Sequence, residues 1–181
     1  MITDNIILVD IDGTAALGIG KHRKAYDYDK VGYDEPNTTV WEMLEMLTKH
    51  DLRVVFLSGR ENVTFPGKSE RKDKCYRRAY MPNDYKEYYD CYSLTTAWLE
   101  RWGRNFAIGN DRRDPENSVH IELYMREEGD NRKDSIVKRE MYEEYIKPHY
   151  NVKLVLDDRN QVVDMWRELG LPCWQVAAGN F

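Results

Sequence analysis

Short apolar segments alternate with amphipathic helical segments along most of the chain, and this alternation constrains the fold more than any other feature. Residues 6–10, 53–57 and 152–156 are apolar runs of the kind found in strands buried on both faces. Residues 119–125 and 172–177 have weaker strand patterns. Each run is bounded by polar or turn-forming residues, so we predict five short strands.

Four segments between these strands have the apolar spacing of helices with one buried face. The helix predicted over 37–50 begins with Asn-Thr-Thr, which suits an N-cap, and the helix over 93–102 ends at Gly103. Two more helices are predicted over 134–147 and 160–169. Strands that alternate with helices predict an α/β fold of the Rossmann-like kind, a mainly parallel sheet with helices on both faces.

The stretch from 61 to 118 breaks this alternation with clustered charges, prolines and tyrosines. We interpret 1–181 as a single domain in which about 61–118 form an insertion or small cap. Within it, 67–78 hold six Lys or Arg and two acidic residues, although the chain has a net charge of −5. This basic segment could contact a phosphate polymer, and a solvated loop is the alternative interpretation.

Composition excludes several classes of protein. No stretch approaches the roughly 18 apolar residues of a membrane span. The N-terminus lacks the basic region and the cleavage site of a signal peptide. The three cysteines include no CxxC pair, which disfavours a zinc site and suits a reducing compartment. We therefore expect a cytoplasmic protein with no membrane partner.

Two aspartates follow the first predicted strand directly. Asp10 and Asp12 are separated by one residue, so strand alternation places both carboxylates on one side. Carboxylates this close repel each other unless a cation compensates. Gly13 permits a tight turn, and Thr14 can bind an anion. The alternative is an ordinary Asp-Gly turn.

A second acidic pair follows another strand. Asp157 and Asp158 come after the strand over 152–156, although an N-cap of the next helix would also explain an aspartate there. The carboxyl ends of parallel strands meet at one edge of a sheet. We therefore expect this pair to join Asp10 and Asp12, where the four carboxylates would hold Mg²⁺.

Three further residues could bind a phosphate at the same edge. Ser58 directly follows the strand predicted over 53–57. A turn at Gly59 would leave backbone amides free to bind a phosphate oxygen. Arg60 could make a bidentate contact, and Lys138 could offset negative charge. Together these groups favour phosphoryl transfer, in which one aspartate attacks phosphorus and the other handles the proton of the leaving group.

The order of these groups resembles the four motifs of the haloacid dehalogenase (HAD) phosphatase superfamily. The motif residues are Asp10, Asp12, Thr14, Ser58, Lys138, Asp157 and Asp158. Residues 126–181 resemble more narrowly the 3′-phosphatase domains of the bacteriophage polynucleotide kinase/phosphatase family, through DDRNQVVDMWR and CWQVA. Residues 6–60 match that family more loosely.

The resemblance implies a role for each motif residue. Asp10 would be the nucleophile and Asp12 the general acid and base. Asp10, the carbonyl of Asp12 and Asp157 would hold Mg²⁺, with Asp158 in support. The phosphate would be held by Ser58 and Lys138. The family's substrate-binding positions correspond to Thr14, Arg23, Arg60, Arg126 and Asp134, with Arg23 matched only loosely.

The implied activity is a Mg²⁺-dependent phosphomonoesterase that removes 3′-phosphates from DNA or RNA ends through an aspartyl-phosphate, in nucleic-acid end repair. No phosphate-binding P-loop motif occurs, so separate kinase or ligase proteins would be partners. A phage-encoded protein would act in the host cytoplasm. Alternatives are a phosphatase for nucleotides or other small phosphoesters, which the insertion would favour, and a nucleic-acid-binding subunit without catalysis.

Overall fold

A parallel sheet of five strands organises the chain. The computed structural model describes residues 4–50, 52–65, 90–106, 108 and 121–179. The strands are β1 (Asp4–Val9), β2 (Ala16–Leu17), β3 (Glu35–Pro36), β4 (Arg53–Glu61), β5 (Glu122–Arg126), β6 (Tyr150–Arg159) and β7 (Cys173–Gly179). The main sheet has the order β5-β4-β1-β6-β7 with parallel pairing throughout, while β2 and β3 form a small antiparallel pair.

Helices connect the strands of the main sheet. They are α1 (Thr38–Thr48), α2 (Cys91–Asn105), α3 (Asp134–Met141) and α4 (Asn160–Glu168). A wider helical turn over Tyr142–Ile146 extends α3, and a 3-10 helix covers Tyr28–Tyr33. The α/β fold class with a mainly parallel sheet is therefore confirmed, because each predicted strand and helix has its counterpart here. Within these described ranges, none of the helices has the length and apolar character needed to cross a membrane.

Both faces of the sheet are covered by helices. On one face Trp41 of α1 and Trp98 of α2 meet edge to face, with ring centroids 5.9 Å apart, over Phe56 of β4. On the other face Val137 of α3 and Trp166 of α4 pack against β1, β4 and β6. Burial of these large side chains is the main apolar contribution to stability.

The stretch interpreted as an insertion contains α2. This helix contributes Trp98 and Leu99 to the core, so that part of the stretch is built into the helical layer over the sheet. Most of the remainder, 66–89 and 109–120, lies outside the described residues. The small cap therefore stays a prediction.

The register of the three central strands brings their ends to one edge. Val9 is level with Phe56 of β4 on one side and with Leu156 of β6 on the other. The residues that follow each of these positions therefore emerge side by side. They include Asp10 and Asp157, which are far apart in the sequence.

Candidate active site

Three buried aspartates lie together where β1 and β6 end. Asp10, Asp157 and Asp158 each place one carboxylate oxygen within 4.8 Å of the others. Their exposed fractions are only 6%, 1% and 2%. Buried carboxylates repel each other strongly, so this grouping needs positive charge nearby. Oxygen donors of this kind suit a hard divalent cation such as Mg²⁺, and the residues present fit one.

One buried lysine supplies part of that charge. Lys138 reaches from α3 and donates to Asp10 Oδ1 at 2.6 Å and to Asp157 Oδ2 at 2.9 Å. Burial alone would lower the pKa of Lys138, but Asp10 and Asp157 raise it well above its usual value. The lysine is therefore charged, and it holds two of the three carboxylates in place.

The charged forms of Asp10 and Asp158 remain unfavourable despite this lysine. Burial raises the pKa of Asp10 well above its usual value, and the attraction of Lys138 offsets only part of that rise. Burial and the neighbouring Asp157 raise the pKa of Asp158 to about 6. One lysine thus does not neutralise the group, which is the condition under which a bound cation is most favourable.

The turn at Gly13 lies directly against the carboxylate of Asp158 and helps to position it. Gly13 has φ +85°, and a Cβ atom there would lie 2.2 Å from Asp158 Oδ2. Only glycine permits both this backbone conformation and this approach. Thr14 donates its hydroxyl to Asp158 Oδ1 at 3.4 Å, and the side-chain amide of Gln175 donates to the Asp158 carbonyl at 2.8 Å.

Asp12 lies apart from the acidic group, in contact with two arginines. Arg60 donates to Asp12 Oδ2 through Nε and to Oδ1 through Nη2, both at 2.8 Å, and Arg23 also binds Oδ1. Although burial would raise the pKa of Asp12, Arg60 and Arg23 together lower it. Its carboxylate is therefore directed to these arginines and not to the other three aspartates, while the metal role expected from the resemblance falls to its backbone carbonyl.

The two arginines are held by a further aspartate, Asp34, which was not among the predicted site residues. The buried carboxylate of Asp34 accepts from Arg23 Nε at 2.8 Å and from Arg60 Nη2 at 2.7 Å. Its backbone carbonyl accepts from the indole of Trp98 at 2.7 Å. Asp34 follows the 3-10 helix rather than a strand of the main sheet, so no motif or periodicity indicated it.

The remaining predicted residues line the side of the site formed by β4, β5 and α3. The hydroxyl of Ser58 accepts from the Arg60 amide at 3.2 Å. Arg126 donates to Asp134 Oδ1 at 2.8 Å. A Cβ atom on Gly59 would lie 2.1 Å from that same carboxylate oxygen, so β4, which continues through Gly59 where a turn was expected, is in close contact with α3.

Beside this side of the site, the geometry places two groups of predicted residues. One is the acidic group with Lys138, which could bind a cation and present a nucleophile. The other is Asp12 with its arginines, which could exchange a proton beside a bound anion. An acidic nucleophile next to an acid–base aspartate and cationic side chains suits the transfer of a phosphoryl group to the enzyme.

The fold and the site together define a phosphatase of the HAD type, a hydrolase. More specifically, the chain belongs to the family of the phosphatase domain of polynucleotide kinase PNKP, whose family model matches residues 4–181.

Relatives of known description agree with this family. A protein of Autographa californica nuclear polyhedrosis virus, described as a bifunctional polynucleotide kinase/RNA ligase, is 30% identical over 168 residues. The match covers 92% of this chain and 18% of the viral protein. A chain in the structure of a Pnkp1/Rnl/Hen1 complex is 34% identical with a TM-score of 0.68, over 98% of this chain and 47% of that one.

A second solved structure, of the Pnkp1/Rnl/Hen1 RNA repair complex, is 31% identical with a TM-score of 0.66. That match covers 98% of this chain and 44% of the other. The chain therefore spans less than half the length of these relatives.

Proposed function

We propose that the chain is a Mg²⁺-dependent phosphomonoesterase that removes 3′-phosphates from polynucleotide ends in nucleic-acid repair. The observation that carries this proposal is the buried carboxylate of Asp10, held by Lys138 beside Asp157 and Asp158, in a chain of the PNKP phosphatase family. The RNA repair complex among the structural relatives favours RNA ends.

Asp10 is the proposed nucleophile. Its carboxylate attacks the phosphorus in line with the 3′-ester oxygen, the P–O ester bond breaks, and an aspartyl-phosphate forms. Lys138 favours the charged carboxylate against its burial and orients it, and it also lies where negative charge collects on the phosphoryl group. Ser58, which is buried in β4, offers its hydroxyl to a phosphoryl oxygen.

Asp12 is the proposed general acid and general base. It donates a proton to the departing 3′-oxygen and then takes one from the water that attacks the aspartyl-phosphate, which restores Asp10 and releases phosphate. In the free enzyme Arg60 and Arg23 keep the pKa of Asp12 low. A bound phosphate dianion opposes this by adding negative charge beside Asp12 and by competing for the guanidinium groups, so substrate binding favours the protonated acid.

The proposed ligands of Mg²⁺ are Asp10, the Asp12 carbonyl and Asp157, with Asp158 in support. When bound, the cation would neutralise part of the charge on the phosphoryl oxygens and on the carboxylates.

Removal of divalent cations should abolish phosphate release. We expect no activity in EDTA and full recovery with excess Mg²⁺, because Lys138 alone does not neutralise the acidic group. Mg²⁺ should also raise the melting temperature through binding to the native state. Full activity in the presence of chelator would rule out the metal role.

A substrate panel tests the proposed function against the nucleotidase alternative. One 3′-phosphorylated oligonucleotide is assayed beside a set of mononucleotides and simple phosphoesters, with phosphate release as the readout. We expect the highest kcat/KM for the oligonucleotide. A mononucleotide processed faster would favour a nucleotidase, and inactivity on every substrate would favour a binding subunit.

The wider setting is also a proposal. The viral relative combines a kinase with a ligase, and the structural relatives are in complexes with Rnl and Hen1. We infer that kinase and ligase functions act on the same nucleic-acid ends as this chain. The basic segment 67–78, which could bind the polyanion, lies outside the described residues.

A further inference from the structure

An exposed tyrosine lies next to the acid–base group of the site. Tyr26 has an exposed fraction of 78%, the highest of the large hydrophobic side chains in the described ranges. Most exposed apolar side chains need no explanation. Two features of its surroundings distinguish Tyr26 from such isolated cases: the main chain beside it is tied to the site, and its ring is in contact with a second ring.

The main chain before Tyr26 is attached to the site by Arg23. The Nη1 atom of Arg23 donates to the carbonyl of Ala25 at 3.1 Å and to that of Lys24 at 3.4 Å. The same guanidinium group binds Asp12 and Asp34. Tyr26 is the next residue, so its backbone is fixed within a short distance of the proposed acid and base.

The ring of Tyr26 is in contact with a second ring that is itself anchored. Its centroid lies 6.2 Å from that of Tyr28, with the ring planes at 84°. Tyr28 packs against the small apolar cluster that contains Val31 and Phe65. Tyr28 is two residues beyond Tyr26, on the same stretch of main chain that Arg23 ties to Asp12. The pair thus offers a supported aromatic surface.

We infer that Tyr26 stacks on the nucleobase beside the 3′-phosphate; this inference rests on the proposed function. A phosphate held between Asp10 and Asp12 leaves the sugar and base at the rim of the site. Every base has a face that can stack, and stacking on a protein aromatic contributes about 1–3 kcal/mol per base without reading the sequence. Tyr26 would therefore select a nucleotide end over a base-free phosphoester.

The test compares two substrates and three variants. The substrates are a 3′-phosphorylated oligonucleotide and the same oligonucleotide with an abasic 3′-terminal residue. Tyr26→Ala removes the ring and Tyr26→Phe keeps it. Tyr145→Ala is the matched control, because Tyr145 is also exposed and paired with a ring, Tyr124 at 5.5 Å, but lies in the helical turn that leads to the opposite edge of the sheet.

We expect Tyr26→Ala to raise KM about tenfold for the complete oligonucleotide, equivalent to about 1.4 kcal/mol, with little change in kcat. The abasic substrate should have a high KM with the wild-type protein and should respond little to the substitution. Tyr26→Phe and Tyr145→Ala should behave like wild type on both substrates.

Other outcomes separate failure of this inference from failure of the proposed function. If Tyr26→Ala changes neither substrate, or lowers activity on both equally, the ring does not bind the base and the inference is wrong while the phosphatase activity stands. If the wild-type protein releases no phosphate from either oligonucleotide, the proposed function is wrong and this inference falls with it.

Discussion

The substitution Asp10→Asn should abolish phosphate release without destabilising the protein. Asparagine is nearly isosteric with aspartate but cannot attack phosphorus, and loss of a nucleophile typically costs several orders of magnitude in rate. Burial raises the pKa of Asp10, which means that the charged form is costly in the folded state. In the absence of Mg²⁺ the variant should therefore melt at least as high as wild type.

The measurement combines phosphate release with thermal unfolding. Asp164→Asn, an exposed aspartate on α4, is a control that should alter neither quantity. If purified Asp10→Asn keeps more than a few per cent of wild-type activity, Asp10 is not the nucleophile. If the variant is inactive and also melts far below wild type, loss of the fold explains the inactivity and the assigned role loses its support.

Lys138→Met should have the largest effect on stability. Methionine keeps an unbranched side chain of similar length, but it leaves the buried carboxylates of Asp10 and Asp157 without their cation. Breaking a buried ion pair by removing one partner costs about 3–5 kcal/mol of unfolding free energy. Activity should be lost as well, because the pKa of Asp10 would rise further and the nucleophile would be protonated.

The pH dependence gives this prediction a second readout. An aspartate whose pKa is raised in the folded state takes up protons that the unfolded chain has lost, so the unfolding free energy falls as the pH rises above the ordinary aspartate pKa. In Lys138→Met without Mg²⁺ this fall should be steeper than in wild type.

Lys147→Met is the matched control for Lys138→Met. Lys147 forms an exposed pair with Glu143 one turn away, at 2.6 Å, and such pairs contribute about 0.3–0.5 kcal/mol. The control should therefore unfold almost like wild type. If Lys138→Met does the same, the carboxylates do not depend on Lys138 for their charge compensation.

Much of the sheet and the position of the acidic group follow from local patterns. The strands β1, β4 and β6 are apolar runs with polar residues at their ends, and parallel pairing leaves only one edge where those ends can meet. This is why Asp10, Asp157 and Asp158 come together as the alternation predicted. Their chemical roles and the metal remain predictions.

The arginine network could not be predicted in the same way. Asp34 contacts Arg23 and Arg60 only because the irregular stretch between β1 and α1 folds back over the site, and the sequence of such a stretch has no periodic pattern from which this contact could be predicted.

The burial of α2 could not be predicted from the sequence either. The charged residues and prolines around this helix indicated an insertion. Trp98 nevertheless packs in the core, because its large apolar ring is buried there and its indole N–H donates to the Asp34 carbonyl.

The most direct test of the central claim compares the two ends of one oligonucleotide. Matched oligonucleotides carrying a single 3′-phosphate or a single 5′-phosphate are incubated with the protein and Mg²⁺, and the initial rates of phosphate release are compared. We predict a preference for the 3′-phosphate of at least about tenfold, equivalent to roughly 1.4 kcal/mol of transition-state discrimination. Equal rates, or a faster reaction at the 5′ end, would contradict the assignment as a 3′-phosphatase.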